Sequence, residues 1–227
     1  MKVFGNSIND MKGDLEFTNT SYQNKKNLYF FDKLSINSSF DENNIHKITL
    51  KSIDGIYGAI EGKFDFNQIS KMVENSVGSL YTNYKPNLIK KGQYFKFNLD
   101  DFNELVEIIN PDISLTDDAS LNGKINGDTN DFKLNFSTTN LNAFSTSFDK
   151  VKIQIDNKNP LYNTYIEMDS IKTKQYKIRD FSLINVTSKD TLNFRTEFKG
   201  GKKGNDFYNL NLYHTINKEN NKKLYSL

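Results

Sequence analysis

The sequence contains no cysteine, which excludes disulfide bonds and thiolate metal sites. Only 36% of its 227 residues are apolar, and the mean hydropathy is −0.67. No stretch approaches the ~18 consecutive apolar residues of a membrane-spanning helix, and the first twenty residues lack the apolar segment of a signal peptide. We therefore expect the apolar residues to be concentrated on defined faces of the fold.

The sequence also lacks an excess of either positive or negative charge. Thirty Lys and Arg residues against 28 Asp and Glu give a net charge of +2, and the two signs are interspersed along the chain. Nucleic-acid-binding proteins cluster their basic residues instead. The charge pattern therefore argues against a nucleic-acid partner.

Alternation of apolar and polar residues dominates the chain. In Asp131–Phe136 the apolar residues are Phe132, Leu134 and Phe136, so one face is apolar and the other polar. Similar segments recur, separated by turn-forming residues, and one-sided strands of this kind are typical of antiparallel sheets. The pattern predicts a mainly β fold built as a meander.

A repeat supports this interpretation. Phe31–Ile36 has the sequence FDKLSI, and FDKVKI follows about 117 residues later at Phe148–Ile153. Each copy continues to a Ser-Ile pair, at Ser52 and at Ser170, as expected for a repeated β unit.

Two segments have helical spacing. One spans residues 67–80, with Ile69, Met72, Val73 and Val77 at helical spacing on its apolar side. The other follows a predicted capping box of Asp101 and Glu104 and ends before Pro111. We expect residues 1–66 and 111–227 to be β repeats of one elongated domain, and residues 67–110 to form a helix–strand–helix insertion. The helices either pack on the sheet or plug or cap a binding surface.

Glycines also fall on the predicted apolar faces, at Gly62, Gly123 and Gly127. Interior glycine weakens a strand unless a bend or a close approach requires it. These positions indicate either a strongly curled sheet or ordinary bulges in a β-sandwich.

Catalytic patterns are weak. His46 and His214 have no cysteine or HExxH partner, and Gly200–Gly204 lacks the spacing of a phosphate-binding loop. The paired aspartates, such as Asp117 with Asp118, lie at predicted turns, where Asp bonds locally. We predict no enzyme activity, no cofactor and no metal site.

Several blocks, in this order, resemble the Bacteroidetes branch of the TamB family, within the AsmA-like superfamily. They comprise residues 53–66 (IDGIYGAIEGKFDF), 79–86, 109–112 (INPD), 120–134 and 198–215. The resemblance implies a repeating β-groove (β-taco), a sheet curled into an open, apolar groove in the periplasm. It also implies an inner-membrane anchor and a domain that binds an outer-membrane insertase-type β-barrel, both expected outside a chain that we interpret as an internal fragment.

The implied function is transport of phospholipid acyl chains between the two membranes or assistance to outer-membrane protein assembly. The alternative is a non-catalytic β-sandwich or solenoid that serves as a binding or structural module of a surface protein, with the same apolar residues in a closed core. The predicted groove-lining residues are Ile60, Phe64, Phe66, Leu121, Ile125, Phe132, Leu134, Phe136, Val151, Ile153, Ile155, Ile166, Met168, Leu192, Phe194, Phe198, Leu210 and Leu212.

Overall fold

The structure is a computed structural model that describes residues 2–53, 55–80, 84–188, 191–216 and 223–226. Two helices, α1 (Ile69–Gly78) and α2 (Asn103–Ile109), interrupt a succession of strands. The strands are β1 (Lys2–Phe4), β2 (Lys12–Gln23), β3 (Leu28–Phe40), β4 (His46–Ser52), β5 (Tyr57–Lys63), β6 (Tyr94–Asp100), β7 (Ile113–Leu115), β8 (Ser120–Asn126), β9 (Asp131–Ala143), β10 (Thr146–Asp156), β11 (Thr164–Lys172), β12 (Lys177–Ser188), β13 (Thr191–Gly200), β14 (Asp206–Ile216) and β15 (Lys223–Ser226).

These strands form a single antiparallel sheet whose order follows the chain. The exception is β7, which pairs with the end of the long strand β9, beyond the part that pairs with β8. The sheet does not close into a barrel, since β1 and β15 lie at opposite edges. This confirms the prediction of a mainly β, antiparallel and open fold with two short helices.

The predicted insertion is joined to the sheet through its strand. Strand β6 lies between β5 and β8, pairing Ile60 with Phe97 on one side and Leu99 with Leu121 on the other. The residues before and after the insertion therefore continue one sheet.

A line of bends crosses the long strands at the first copy of the FDK repeat. Tyr29 and Phe31 are buried together with Leu34, so the apolar side of β3 changes parity at Asp32 and Lys33. On β2, Asn19 has a left-handed backbone (φ 48°) and lies between the two residue pairs that flank this point. An aligned irregularity of this kind bends both strands without changing their register.

The second copy of the repeat also has left-handed residues that interrupt its strands, and here one of them lies in the repeat strand itself. Lys150, the lysine of its FDK sequence, has φ 48°, and Asp180 in β12 has φ 51°. The pairing between β12 and β13 shifts by one residue between Arg179 and Ser182. The irregularity in β12 is therefore absorbed by this shift in register. Because these irregularities lie at neighbouring positions in adjacent strands, the sheet curls along a line that crosses the strands.

Glycine permits close contacts on the apolar side. A Cβ atom at Gly62 would lie 2.1 Å from the carbonyl oxygen of Tyr94, and one at Gly123 would lie 2.4 Å from that of Lys133. Contacts that short do not occur, so the close approach of neighbouring strands requires glycine there.

The start of α2 differs from the predicted capping box. The residue before the helix is Phe102, and no side chain caps the first turn. Asp101 instead has a left-handed backbone (φ 51°), and its N–H donates to the carbonyl of Ala119. The prediction was wrong because Asp101 directly follows strand β6 and its N–H bonds to Ala119, which precedes the neighbouring strand β8, so its conformation is set by the sheet and not by the helix.

Candidate functional site: an open apolar face

The apolar side chains of successive strands line up in rows across the sheet, because register partners in neighbouring strands project to the same face. In the middle of the sheet, Leu121 pairs with Phe136, Phe136 with Ile153 and Ile153 with Ile166. Followed in both directions, this central row comprises Leu15, Ile36, Leu50, Gly58, Leu99, Leu121, Phe136, Ile153, Ile166, Leu183, Thr196 and Leu210.

A second row lies beside it, on the side of α1. Ile60 pairs with Phe97, and Leu134 pairs with Ile155. The same line reaches Phe194 and Leu212 in the last long strands. The apolar face is therefore at least two residues wide along most of the sheet.

Helix α1 covers one margin of this face. Met72 has no exposed surface and packs against Phe95, Ile125 and Phe132. The partly buried side chains around them include Ile60, Leu134 and Ile155 of the second row. One margin of the apolar face is thus a closed core beneath a helix.

Helix α2 covers the other margin. Its residues Leu105 and Ile108 pack on a buried cluster of Tyr29, Phe31 and Ile56. The hydroxyl of Tyr29 donates to the carboxylate of Glu107 in the same helix, at 3.1 Å. The helix is therefore held to the sheet by both apolar and polar contacts.

Between these margins the central row remains open. Leu121, Phe136, Ile153, Ile166 and Leu183 belong to neither helix-covered cluster and are each half-buried, whereas nearby Val151 is only 1% exposed. Among the described residues, these five side chains lie outside both helix-covered clusters and each keeps part of its surface accessible to solvent. Together they form a contiguous apolar strip that is only partly covered, and apolar patches of this kind often mark binding sites.

Polar pairs occupy the opposite face. Lys96 lies 3.0 Å from Glu61, and Lys133 lies 2.5 Å from Asp156 across β9 and β10. The pairing raises the pKa of Lys133, chiefly through its hydrogen bond to Asp156. One face of the sheet is thus charged and paired, and the other is apolar.

The register places all the predicted groove residues that lie within strands on the apolar face. They comprise Ile60, Leu121, Ile125, Phe132, Leu134, Phe136, Val151, Ile153, Ile155, Ile166, Met168, Leu192, Phe194, Phe198, Leu210 and Leu212. Their environments differ, since Ile125, Phe132 and Val151 are buried and Leu210 is 38% exposed.

Two predicted residues lie outside the strands. Phe64 follows β5, and its ring contacts those of His46 and Phe95 at 5.4 and 5.6 Å between centroids. Phe66 begins a short turn of 3₁₀ helix and meets Phe64 edge to face. Both extend the α1 margin and not the open strip.

Sequence reasoning missed about half of the central row. Leu15, Ile36, Leu50 and Leu99 each have polar neighbours on both sides, so the signal was present for them, whereas Leu183 is followed by Ile184 and shows no alternation. Their place in the row became visible only through the pairing register, which periodicity alone does not provide.

Neither helix of the described part of the chain is long and apolar enough to cross a bilayer. Comparison with protein-family models, with curated proteins and with solved structures finds no match to this chain.

Proposed function

We propose that this chain shelters phospholipid acyl chains on its open apolar strip, as a segment of a periplasmic protein of the TamB or AsmA-like type that carries lipid between the inner and outer membranes. The observation that supports it is the uncovered central row between the two helix-covered margins. In this proposal the inner-membrane anchor and the β-barrel-binding domain lie outside residues 1–227.

Burial of acyl chains supplies enough free energy for such a role. Each buried CH₂ group contributes about 0.8 kcal/mol. An acyl chain that lies across several strands would therefore be bound while its head group stays in water. The strip runs across strands, with neighbours ~4.8 Å apart, and therefore offers a continuous path perpendicular to them. The proposal needs no catalytic residue and no cofactor.

Lipid extraction and mass spectrometry of the chain, purified without detergent, test the proposal. Phe136→Asp places a charge in the central row, and Asn135→Asp places the same charge on the next residue, which is exposed on the opposite face. We expect phospholipid to copurify with the parent and with Asn135→Asp, and to be reduced at least fivefold in Phe136→Asp, since a charge in an apolar groove is costly.

Circular dichroism establishes that each variant is folded. Absence of phospholipid from a folded parent contradicts the proposal, as does equal phospholipid content in both variants. Assistance to outer-membrane protein assembly, the second role implied by the resemblance, would instead give copurification of unfolded barrel segments.

A binding or structural β module of a surface protein is the competing proposal, and the edges of the sheet favour it. Strand β1 pairs with only three residues at one end of β2, and β15 pairs with only four residues of β14. Among the described residues, the remaining parts of β2 and β14 have no strand partner on their outer side. An extended segment of another protein could add to these edges as a further strand. A folded parent without lipid would favour this function.

A further inference from the structure

A cavity of ≈ 890 Å³ opens where the β11–β12 and β13–β14 hairpins lie side by side. Its wall is basic, with Lys177, Arg179, Lys202 and Lys203 among the lining residues, and it includes no carboxylate. Its floor contains the rings of Phe198 and Tyr208, which are stacked with centroids 4.9 Å apart. Its volume is in the range typical of small-molecule sites.

The positive charges of this cavity are only partly balanced. Within the part of the chain that the structure describes, Lys177, Lys202 and Lys203 form no ion pair. Two carboxylates lie nearby: Asp180 pairs with Lys199 at 2.7 Å, and Asp206 lies against Gly201 at the rim of the cavity. Four cationic residues line the cavity, so even with Asp206 beside it this end keeps an excess of positive charge that a bound anion would relieve.

Arg179 holds the cavity in shape. Its Nη2 group donates to the carbonyl of Gly204 and, at 2.7 Å, to Oδ1 of Asn205, which ties β12 to the β13–β14 turn. Gly204 has φ +69°, a backbone conformation that favours glycine, and a Cβ atom there would make a tight contact of 3.3 Å with Nη2. The hydrogen bonds from Arg179 thus hold the turn that carries Lys202 and Lys203.

The floor continues into the apolar face. Phe198 pairs with Tyr208 in register, and along the same two strands Phe194 pairs with Leu212 on the same face. A molecule with its anionic group among the lysines can therefore lay an apolar chain over the aromatic pair and onto the sheet. A free anion would leave the aromatic floor unused.

We propose that this cavity is a head-group site for an anionic amphiphile, in which Lys177, Lys202 and Lys203 bind a phosphate and the Phe198–Tyr208 pair receives the adjoining acyl chain. The inference rests on the proposed lipid-sheltering function and adds to it a position and a charge preference. Lysine ammonium groups bind phosphate as mobile point charges, which suits head groups of differing size.

Isothermal titration calorimetry of the chain with dihexanoyl phosphatidylglycerol, dihexanoyl phosphatidylcholine and inorganic phosphate, at equal ionic strength, tests this proposal. We expect the anionic lipid to bind the parent more tightly than the zwitterionic lipid, and phosphate to bind most weakly. The double variant Lys202→Gln/Lys203→Gln should weaken phosphatidylglycerol binding about tenfold, as for two partly exposed charge pairs, and should weaken phosphatidylcholine binding much less, because the choline cation balances the charge of its phosphate.

Two further variants separate head from chain. Gly200→Val fills the floor, because a Cβ at Gly200 points between the rings of Tyr208 and Phe198 at 3.6 and 3.9 Å, where there is room for it. It should weaken binding of both lipids and spare phosphate. Lys63→Gln/Lys71→Gln removes the same charge from exposed positions elsewhere and should change nothing.

Each result has a distinct meaning. Phosphate binding as tight as phosphatidylglycerol binding would indicate a free-anion site and overturn the proposal. Equal binding of the two lipids, unaffected by Lys202→Gln/Lys203→Gln, would overturn the head-group site and leave the proposed function standing. Failure of both lipids to bind the folded parent would contradict the proposed function itself.

Discussion

His46 lies buried on the apolar face, 2% exposed, with its ring stacked on that of Phe40 at 4.0 Å between centroids. The hydroxyl of Ser38 donates to the carbonyl of Met11, so its oxygen accepts from Nε2–H of His46, 2.8 Å away. Among the described residues, Nδ1 has no hydrogen-bond partner. Burial lowers the pKa of His46, against a smaller opposite effect of the Met11 backbone.

The lowered pKa predicts acid sensitivity. As pH falls below about 6.5, the unfolded chain binds a proton at His46 before the folded chain does. The contribution of neutral His46 to stability is therefore complete above that pH and is lost progressively below it. Urea unfolding at pH 7.5 and 5.5 should show a larger loss of unfolding free energy in the parent than in His46→Phe. His214 is present in both proteins, so an equal loss would contradict a burial effect at His46.

The sequence did not show that His46 is buried. Its environment comes from Phe40 and Ser38 on β3 and Phe64 after β5, and these residues meet only through strand pairing. Single-residue properties of this chain are therefore set by neighbours across the sheet.

At the scale of elements, α1 covers one margin of the apolar face, and only one side of the helix packs on the sheet. Met72 is fully buried against the sheet, whereas Val77 of the same helix is 44% exposed. The polar contacts of Asn75 with Asn87 and Tyr84 also fix the segment that follows the helix. The helical spacing in the sequence identified the element and placed Met72 correctly on its apolar side. It was wrong for Val77, which lies beyond the part of the helix that contacts the sheet, and it did not show which margin the helix covers.

Substitution at these two positions tests whether α1 is docked in solution. Met72→Ala should lower the free energy of unfolding by about 2–4 kcal/mol, because it leaves a cavity between helix and sheet. Val77→Ala removes a similar side chain from the exposed side of the helix and should cost less than ~0.5 kcal/mol. Chemical denaturation measures both, and similar small effects would show that α1 does not cover this margin.

At the scale of the whole molecule, openness is visible in the accessible surface. The chain exposes 14470 Å², whereas a compact monomer of 26.2 kDa would expose about 10,600 Å². The excess is expected of one sheet with fourteen strands in succession, packed on one side against two short helices only.

Small-angle X-ray scattering tests this shape. With strands ~4.8 Å apart, the sheet extends about 60 Å across its strands, so we expect a radius of gyration near 20 Å. A compact globule of this length would give about 17 Å. The value must be extrapolated to zero concentration, since an exposed apolar strip promotes association, and a result at or below 17 Å would contradict the open sheet.

The sequence by itself determined the strands, the two helices and the separation of apolar from polar residues, because each of these follows from spacing within a short segment. Phe132, Leu134 and Phe136, for example, share a face in any strand that contains them. Only the tertiary structure decided that this face stays open along Phe136 and Ile153 and is closed at Met72 and Phe31. An open face and a closed core require the same alternation along each strand, and they differ only in whether a second layer covers the side chains.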